Sequence, residues 1–263
     1  MEKVYKENPG MDDLLKMLAA IYQIGNENRE ILRGQVDPRD DEAVYFLGLM
    51  ERATVFAGDL VNIVTHTRTG SFTSVYILGR CIMDDFITME YVLRSDDRKE
   101  TVLEINSDAM RQNLQKVEDL VSLNEKVFEG KFPYYPTTEF MADVRVKFFS
   151  RDDSGKYLLE GSSAATLKFK KNSNMSEMAV AAGRKTDDSI GRAYFFWRLW
   201  SDYVHFAPLT FGMEMENQKD MATVYKNLQE LFLHLYQIIR KALVFFIKGI
   251  GYKPVESGLW RLF

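Results

Sequence analysis

The sequence predicts a mainly α fold, an irregular bundle of about six to eight helices. Two observations carry this. Apolar residues recur at three- and four-residue steps over most of the chain. The segments that do so are separated by short runs holding Gly, Pro, Asn or Asp. Strand-like patterning is weak, and a short hairpin near Val144–Leu159 is the one exception expected.

The elements follow in order. Met11–Ile24 places Leu14, Leu15, Met17, Leu18, Ile21 and Ile24 at helical spacing behind the acidic start Asp12-Asp13. Asn26–Arg39 is polar, holds Gly34 and Pro38, and predicts a loop or a frayed helix. Asp41–Thr67 predicts a long helix ended by Gly70. Ser71 is suited to cap the next helix, Phe72–Arg94, whose nearly all-round apolar surface places it near the centre. Asp96–Gly130 predicts a charged amphipathic helix, and Lys131–Thr138, with two prolines, a loop. Phe140–Phe149 fits helix or strand, Asp152–Gly155 reads as a turn, and Ser162–Asn174 is an ambiguous, mildly basic run. Met175–Ala182 is a short helix. Thr186 or Asp187 then caps an aromatic helix expected to run to about Ala207, before Pro208. Asp220–Lys248 is the last helix, and the apolar end Leu259–Phe263 is expected to dock onto the body or a second subunit. The chain is expected to form one domain over 1–263. Its parts are an N-terminal helix and loop (1–40), central helices (41–130), an irregular insertion (131–174), a motif helix with the long C-terminal helix (175–250) and a docking tail (251–263).

Composition bounds the function. With 46% hydrophobic and 27% charged residues the chain is globular, not disordered. A net charge of -4 excludes a global basic footprint for nucleic acid, leaving only a local patch. Cys81 is the sole cysteine, which excludes an intrachain disulfide and a Cys-rich zinc site. Together with a polar, acidic N-terminus unlike a signal peptide, this predicts a cytoplasmic protein. The apolar span Leu231–Ile247 is broken by His234, Gln237, Arg240 and Lys241, so no membrane association is expected.

The densest chemistry lies in Tyr194–Phe211, YFFWRLWSDYVHFAPLTF. On a continuous helix Arg198, Asp202 and His205 would share one face, with Ser201 beside them. A guanidinium grips a phosphate bidentately, and an imidazole moves a proton near neutral pH. This set suits phosphodiester cleavage without metal, with Arg198 on the anion and His205 as general base or acid. The same spacing also fits a buried polar ladder in which Arg198 pairs with Asp202. A second constellation, Arg80, Asp84, Asp85, Thr88 and Glu90, lies on the central helix, as a structural network or as the lining of a cleft. Gly79 and Gly191 read as close-packing positions, His66 as a helix-end residue, and His234 as partly exposed. No second Asp/Glu-x-x-His accompanies Asp202-x-x-His205, so a di-iron set is not expected. A mononuclear site from His205, His66 and Asp84 or Asp85 remains an alternative, and no cofactor is assigned.

Two segments carry a resemblance. Ser74–Leu93, SVYILGRCIMDDFITMEYVL, and Ala179–Pro208, AVAAGRKTDDSIGRAYFFWRLWSDYVHFAP, resemble a bacterial all-helical family of unknown function. That family carries an arginine followed by an acidic residue on one helix and a Tyr…Ser-x-x-x-His pattern on another. Here those positions are Arg80 and Asp84, then Tyr194, Ser201 and His205. The spacing Arg198-x6-His205 is also similar to the Arg-x4-6-His motif of HEPN-like helical domains. Leu199 stands where that motif usually has a polar residue. The second resemblance implies a metal-independent endoribonuclease of a toxin–antitoxin or phage-defence system, active on RNA as a homodimer, with Arg198 and His205 as the catalytic pair. Arg80, Asp84, Ser201 and Asp202 would support them. The alternative is a non-enzymatic interaction module that binds a partner protein through the C-terminal helix and the Trp260 tail.

Overall fold

The structure, a computed structural model, describes residues 9–66, 72–142, 149–151, 157–159, 173–204, 212 and 220–255. It is mainly α. Four helices come first: α1 (Met11–Arg33), α2 (Asp41–His66), α3 (Thr73–Arg94) and α4 (Arg98–Phe128). Two three-residue strands follow, β1 (Phe149–Arg151) and β2 (Tyr157–Leu159), paired antiparallel with Phe149 opposite Leu159. Then come α5 (Met175–Ala182), α6 (Ser189–Ser201) and α7 (Met221–Ile250). The chain divides into two compact units, one of Met1–Arg94 with Asn174–Phe263, the other of Ser95–Ser173.

In the first unit α7 is the axis of the core. Asp220 caps it, its carboxylate accepting from the Ala222 amide at 3.1 Å. It is buried on most of its circumference, from Val224 to Phe246, because α1, α2 and α3 all pack on it. That is why His234 is only 3% exposed, against the partial exposure expected from its offset on the apolar stripe. Both ring nitrogens face carbonyls, Nδ1 at 2.7 Å from Glu230 O and Nε2 at 3.3 Å from Ser189 O. Burial lowers the imidazole pKa below its ordinary value.

Helix α1 runs nine residues past the expected end at Ile24, to Arg33. Its polar second half is held from outside. Asn28 is fully buried; its amide donates to Ile24 O at 2.8 Å. Its Oδ1 accepts from the Tyr252 hydroxyl at 2.8 Å and the Val255 amide at 3.0 Å. The segment after α7 therefore docks on α1 through one buried amide.

The second unit contains α4 and the hairpin. Asp97 caps α4, accepting from the Glu100 amide at 3.0 Å, and Glu129 and Gly130, both at positive φ, end it. Asn124 binds the returning loop at Phe132 N, 3.1 Å away. Residues 138–142 are helical. Ser71, the turn at Asp152–Gly155, most of Ser162–Asn174, the stretch His205–Phe211 and the Trp260 tail lie outside the described residues.

Candidate functional site

Helix α6 buries Ile190, Ala193, Phe196 and Trp200. Those positions fall on one stripe, and α3 receives it. Gly79 makes the close approach possible: a Cβ there would meet the Trp200 ring at 2.8 Å. Tyr76 stacks on the same ring, centroids 5.5 Å apart. Gly191, by contrast, faces open space, so its expected packing role is not found.

Seating Trp200 brings the adjoining stripe of α6, Trp197 and Ser201, against Arg80. Arg80 Nε donates to Ser201 Oγ at 3.2 Å, and Ser201 donates its proton to Trp197 O at 2.6 Å. The guanidinium lies 5.3 Å from the Trp197 ring centre and 3.9 Å from the Asp84 carboxylate. Arg80, Asp84 and Ser201 are thus brought together across 121 residues of chain.

The other predicted residues are placed differently. Arg198 and Asp202 are exposed, and no ion pair joins them, so the buried ladder is not what forms here. Helix α6 ends at Ser201, earlier than the expected Ala207. Beyond it Tyr203 N bonds Trp200 O and Val204 N bonds Ser201 O, each at 3.2 Å. These three-residue bonds tighten the last turn to about three residues per turn. His205 itself lies outside the described residues.

Arg52 of α2 was not legible from local pattern. Its Nε meets Asp85 at 3.2 Å. The carboxyl of Asp85 is pushed up to about 7, chiefly by burial, against the nearby Arg52 and with the repulsion of Asp84. Asp84 is raised too, again by burial first, with Arg80 and Arg52 opposing. Next to Asp85, burial raises the Tyr45 phenol, whose oxygen has no hydrogen-bond partner. The indole Nε1 of Trp197 is likewise buried without a partner. The seam of α2, α3 and α6 therefore holds two arginines, two carboxyls whose pKa burial raises and a buried N–H donor without a hydrogen-bond partner.

A measurable consequence follows for Asp85. Folded, it keeps its proton up to about pH 7; unfolded, it loses it near 3.8. Between those values the folded chain binds more protons, so this contribution to stability is complete below about pH 4 and is lost as pH rises to 7. Asp85→Asn is expected to raise Tm at pH 8 by at least ~3 °C more than at pH 4.5. An equal change at both pH values would remove the proton-linked role.

A second network lies at the other end of α3. Glu90, 2% exposed, accepts from Arg94 Nε at 3.0 Å and from Lys241. Arg94 also donates to Ala182 O and, at 2.8 Å, to Asp187. Asp187 accepts from the Ser189 amide at 3.0 Å, fixing the start of α6. Its carboxylate is lowered to about 2, mainly by hydrogen bonding to Ser189 and then by Arg94, with burial opposing. Thr88 turns away, donating to Asp84 O at 2.9 Å and facing Met178. His66 sits exposed at the end of α2, 2.8 Å from Asn62 O. Among the described residues no three His, Cys, Asp or Glu side chains converge as a metal set. Among them, too, no helix is long and apolar enough to cross a membrane.

Comparison with protein-family models, with curated proteins and with solved structures finds no match for this chain.

Proposed function

We propose that the seam at the end of α6 binds an RNA phosphate and that the chain is a metal-independent endoribonuclease. The observation that supports this best is Arg80 bonded to Ser201 beside the unpartnered Trp197 N–H, with Arg198 exposed on the adjoining face. A guanidinium on the seam with a second, exposed arginine on the adjoining face suits a phosphate whose charge grows in the transition state. In the reaction the RNA 2′-hydroxyl attacks the neighbouring phosphorus and the 5′-oxygen leaves. The products are a 2′,3′-cyclic phosphate and a 5′-hydroxyl. One group must take the 2′-oxygen's proton and one must protonate the leaving oxygen. His205 is assigned one of these steps, and Arg198 the developing phosphorane charge.

The test is cleavage of an end-labelled RNA by the purified protein in EDTA, with the DNA analogue as control. RNA alone should be cut, and Arg198→Ala and His205→Ala should each lose at least ~100-fold while keeping the wild-type helical signal. No cleavage by the wild type between pH 6 and 8, or full activity in both variants, would overturn the assignment.

A second reading is a binding module. Phe195, 60% exposed, and Leu199 flank Arg198 and Asp202 on the outer face of α6, an apolar pair framed by opposite charges. Such a face suits a helix of a second copy. This reading expects Phe195→Asp to abolish a dimer seen by sedimentation, and a monomeric wild type would dismiss it.

A further inference from the structure

A cleft of about 450 Å³ lies between the start of α6 and one face of α7, with the buried His234 in its wall and the Phe86 ring edge-on to that imidazole. Its size falls within the range of ordinary ligand sites. The ion pairs around it divide into two ends. At one, Arg192 meets Asp188 at 3.2 Å and Glu230 at 3.5 Å, so two carboxylates share one cation. Glu230 Oε2 is buried there without a hydrogen bond. At the other end stand Arg240, Lys241 and, behind them, Arg94, against only Glu90 and Asp187. Arg240 is exposed and meets no carboxylate among the described residues. The cleft is neutral as a whole, with one uncompensated negative charge at the Glu230 end and one positive at the Arg240 end. Ten residues of α7 separate these positions, which is about 15 Å at 1.5 Å per residue.

We propose that this cleft binds a short extended peptide by its free ends, the amino terminus between Asp188 and Glu230 and the carboxylate on Arg240 and Lys241. An extended chain covers 15 Å in about four or five residues. The ammonium supplies the hydrogen-bond donor that Glu230 Oε2 lacks, and Arg240 gives the carboxylate a planar pair of N–H groups. Phe86 and Leu233 leave apolar wall for the side chains between. A compact amino acid carries both charges but spans too little to reach both ends, and a simple anion would leave Glu230 unanswered.

The experiment is calorimetric titration of the full chain with tetra-alanine, its N-acetylated, C-amidated and doubly blocked forms, and alanine itself. The free peptide should bind, and blocking either end should weaken it at least tenfold. Arg240→Gln, a surface change that leaves the core alone, should weaken the free peptide but not the amidated one. Asp188→Asn should do the same for the amino end, affecting the free peptide and not the acetylated one. No binding by any of the peptides overturns the proposal. So do equal affinities for free and doubly blocked peptide, which would point to an internal segment of a protein, and tighter binding of free alanine than of tetra-alanine. None of these outcomes bears on RNA cleavage at the end of α6.

Discussion

Glu90→Ala is expected to destabilise the first unit by about 3 kcal/mol or more, the cost typical of breaking a buried ion pair from one side. Glu90 is 2% exposed, while Arg94 and Lys241, the two cations it holds, are 16% and 27% exposed in their side chains. Removing the carboxylate leaves both without that acceptor in a region largely closed to water. The loss also reaches further, because Arg94 ties the end of α3 to Ala182 O and to Asp187, and Asp187 positions the Ser189 amide at the start of α6. Glu90→Gln keeps an acceptor and should cost less than Glu90→Ala. The triple replacement Glu90→Leu, Arg94→Met, Lys241→Met should recover part of the loss, since apolar residues of similar volume often match a buried charge network. Urea unfolding of the four proteins decides it; a cost below ~1 kcal/mol for Glu90→Ala would show that the network is not what secures α3 to α7.

Gly25→Ala should destabilise by about 1–3 kcal/mol although it replaces a poor helix former by the best one. A Cβ at position 25 would fall 2.1 Å from Thr54 Oγ1 and 3.1 Å from Ile239 Cδ1. Thr54 is completely buried and its hydroxyl is already committed to Met50 O at 2.7 Å, so it has little room to turn aside. At Gly25 side chains of α2 and α7 both press on α1. Gly48→Ala provides the opposite case. It lies in α2 with nothing within 4 Å of its Cβ position, and the same change there should stabilise by up to about 1 kcal/mol. Thr54→Ala combined with Gly25→Ala should recover part of the stability. Equal effects at positions 25 and 48 would mean that packing at the three-helix contact is looser than these distances imply.

Much of the architecture was legible because it rests on local pattern. The helices expected over Asp41–Thr67, Phe72–Arg94, Met175–Ala182 and Asp220–Lys248 differ from those observed by no more than two residues at either end. Each has an apolar face of helical period bounded by residues that cap or break. The second half of α1 was not legible. Asn26 to Arg33 is polar and fits a loop or a frayed helix until Asn28 is seen holding Tyr252 and Val255. The end of α6 was over-extended for the converse reason. Aromatic residues continue the apolar pattern past Ser201, but the backbone has already turned to three-residue bonds.

The candidate site divides in the same way. Arg80, Asp84 and Ser201 were singled out as unusual polar groups on apolar helices, and they do meet. Arg52, Arg94 and Lys241 gave no such signal, since a cation on a helix surface looks the same whether or not a carboxylate of another helix waits for it. Gly79 was expected as a close-packing position and is one, but only the structure shows that the ring lying over it is Trp200. By itself the sequence determined a mainly α chain, because helix periodicity is a short-range property that every segment states for itself. The tertiary structure alone decided which polar groups became partners and which stayed free, because burial and pairing depend on residues far apart in the chain brought within a few ångströms of one another.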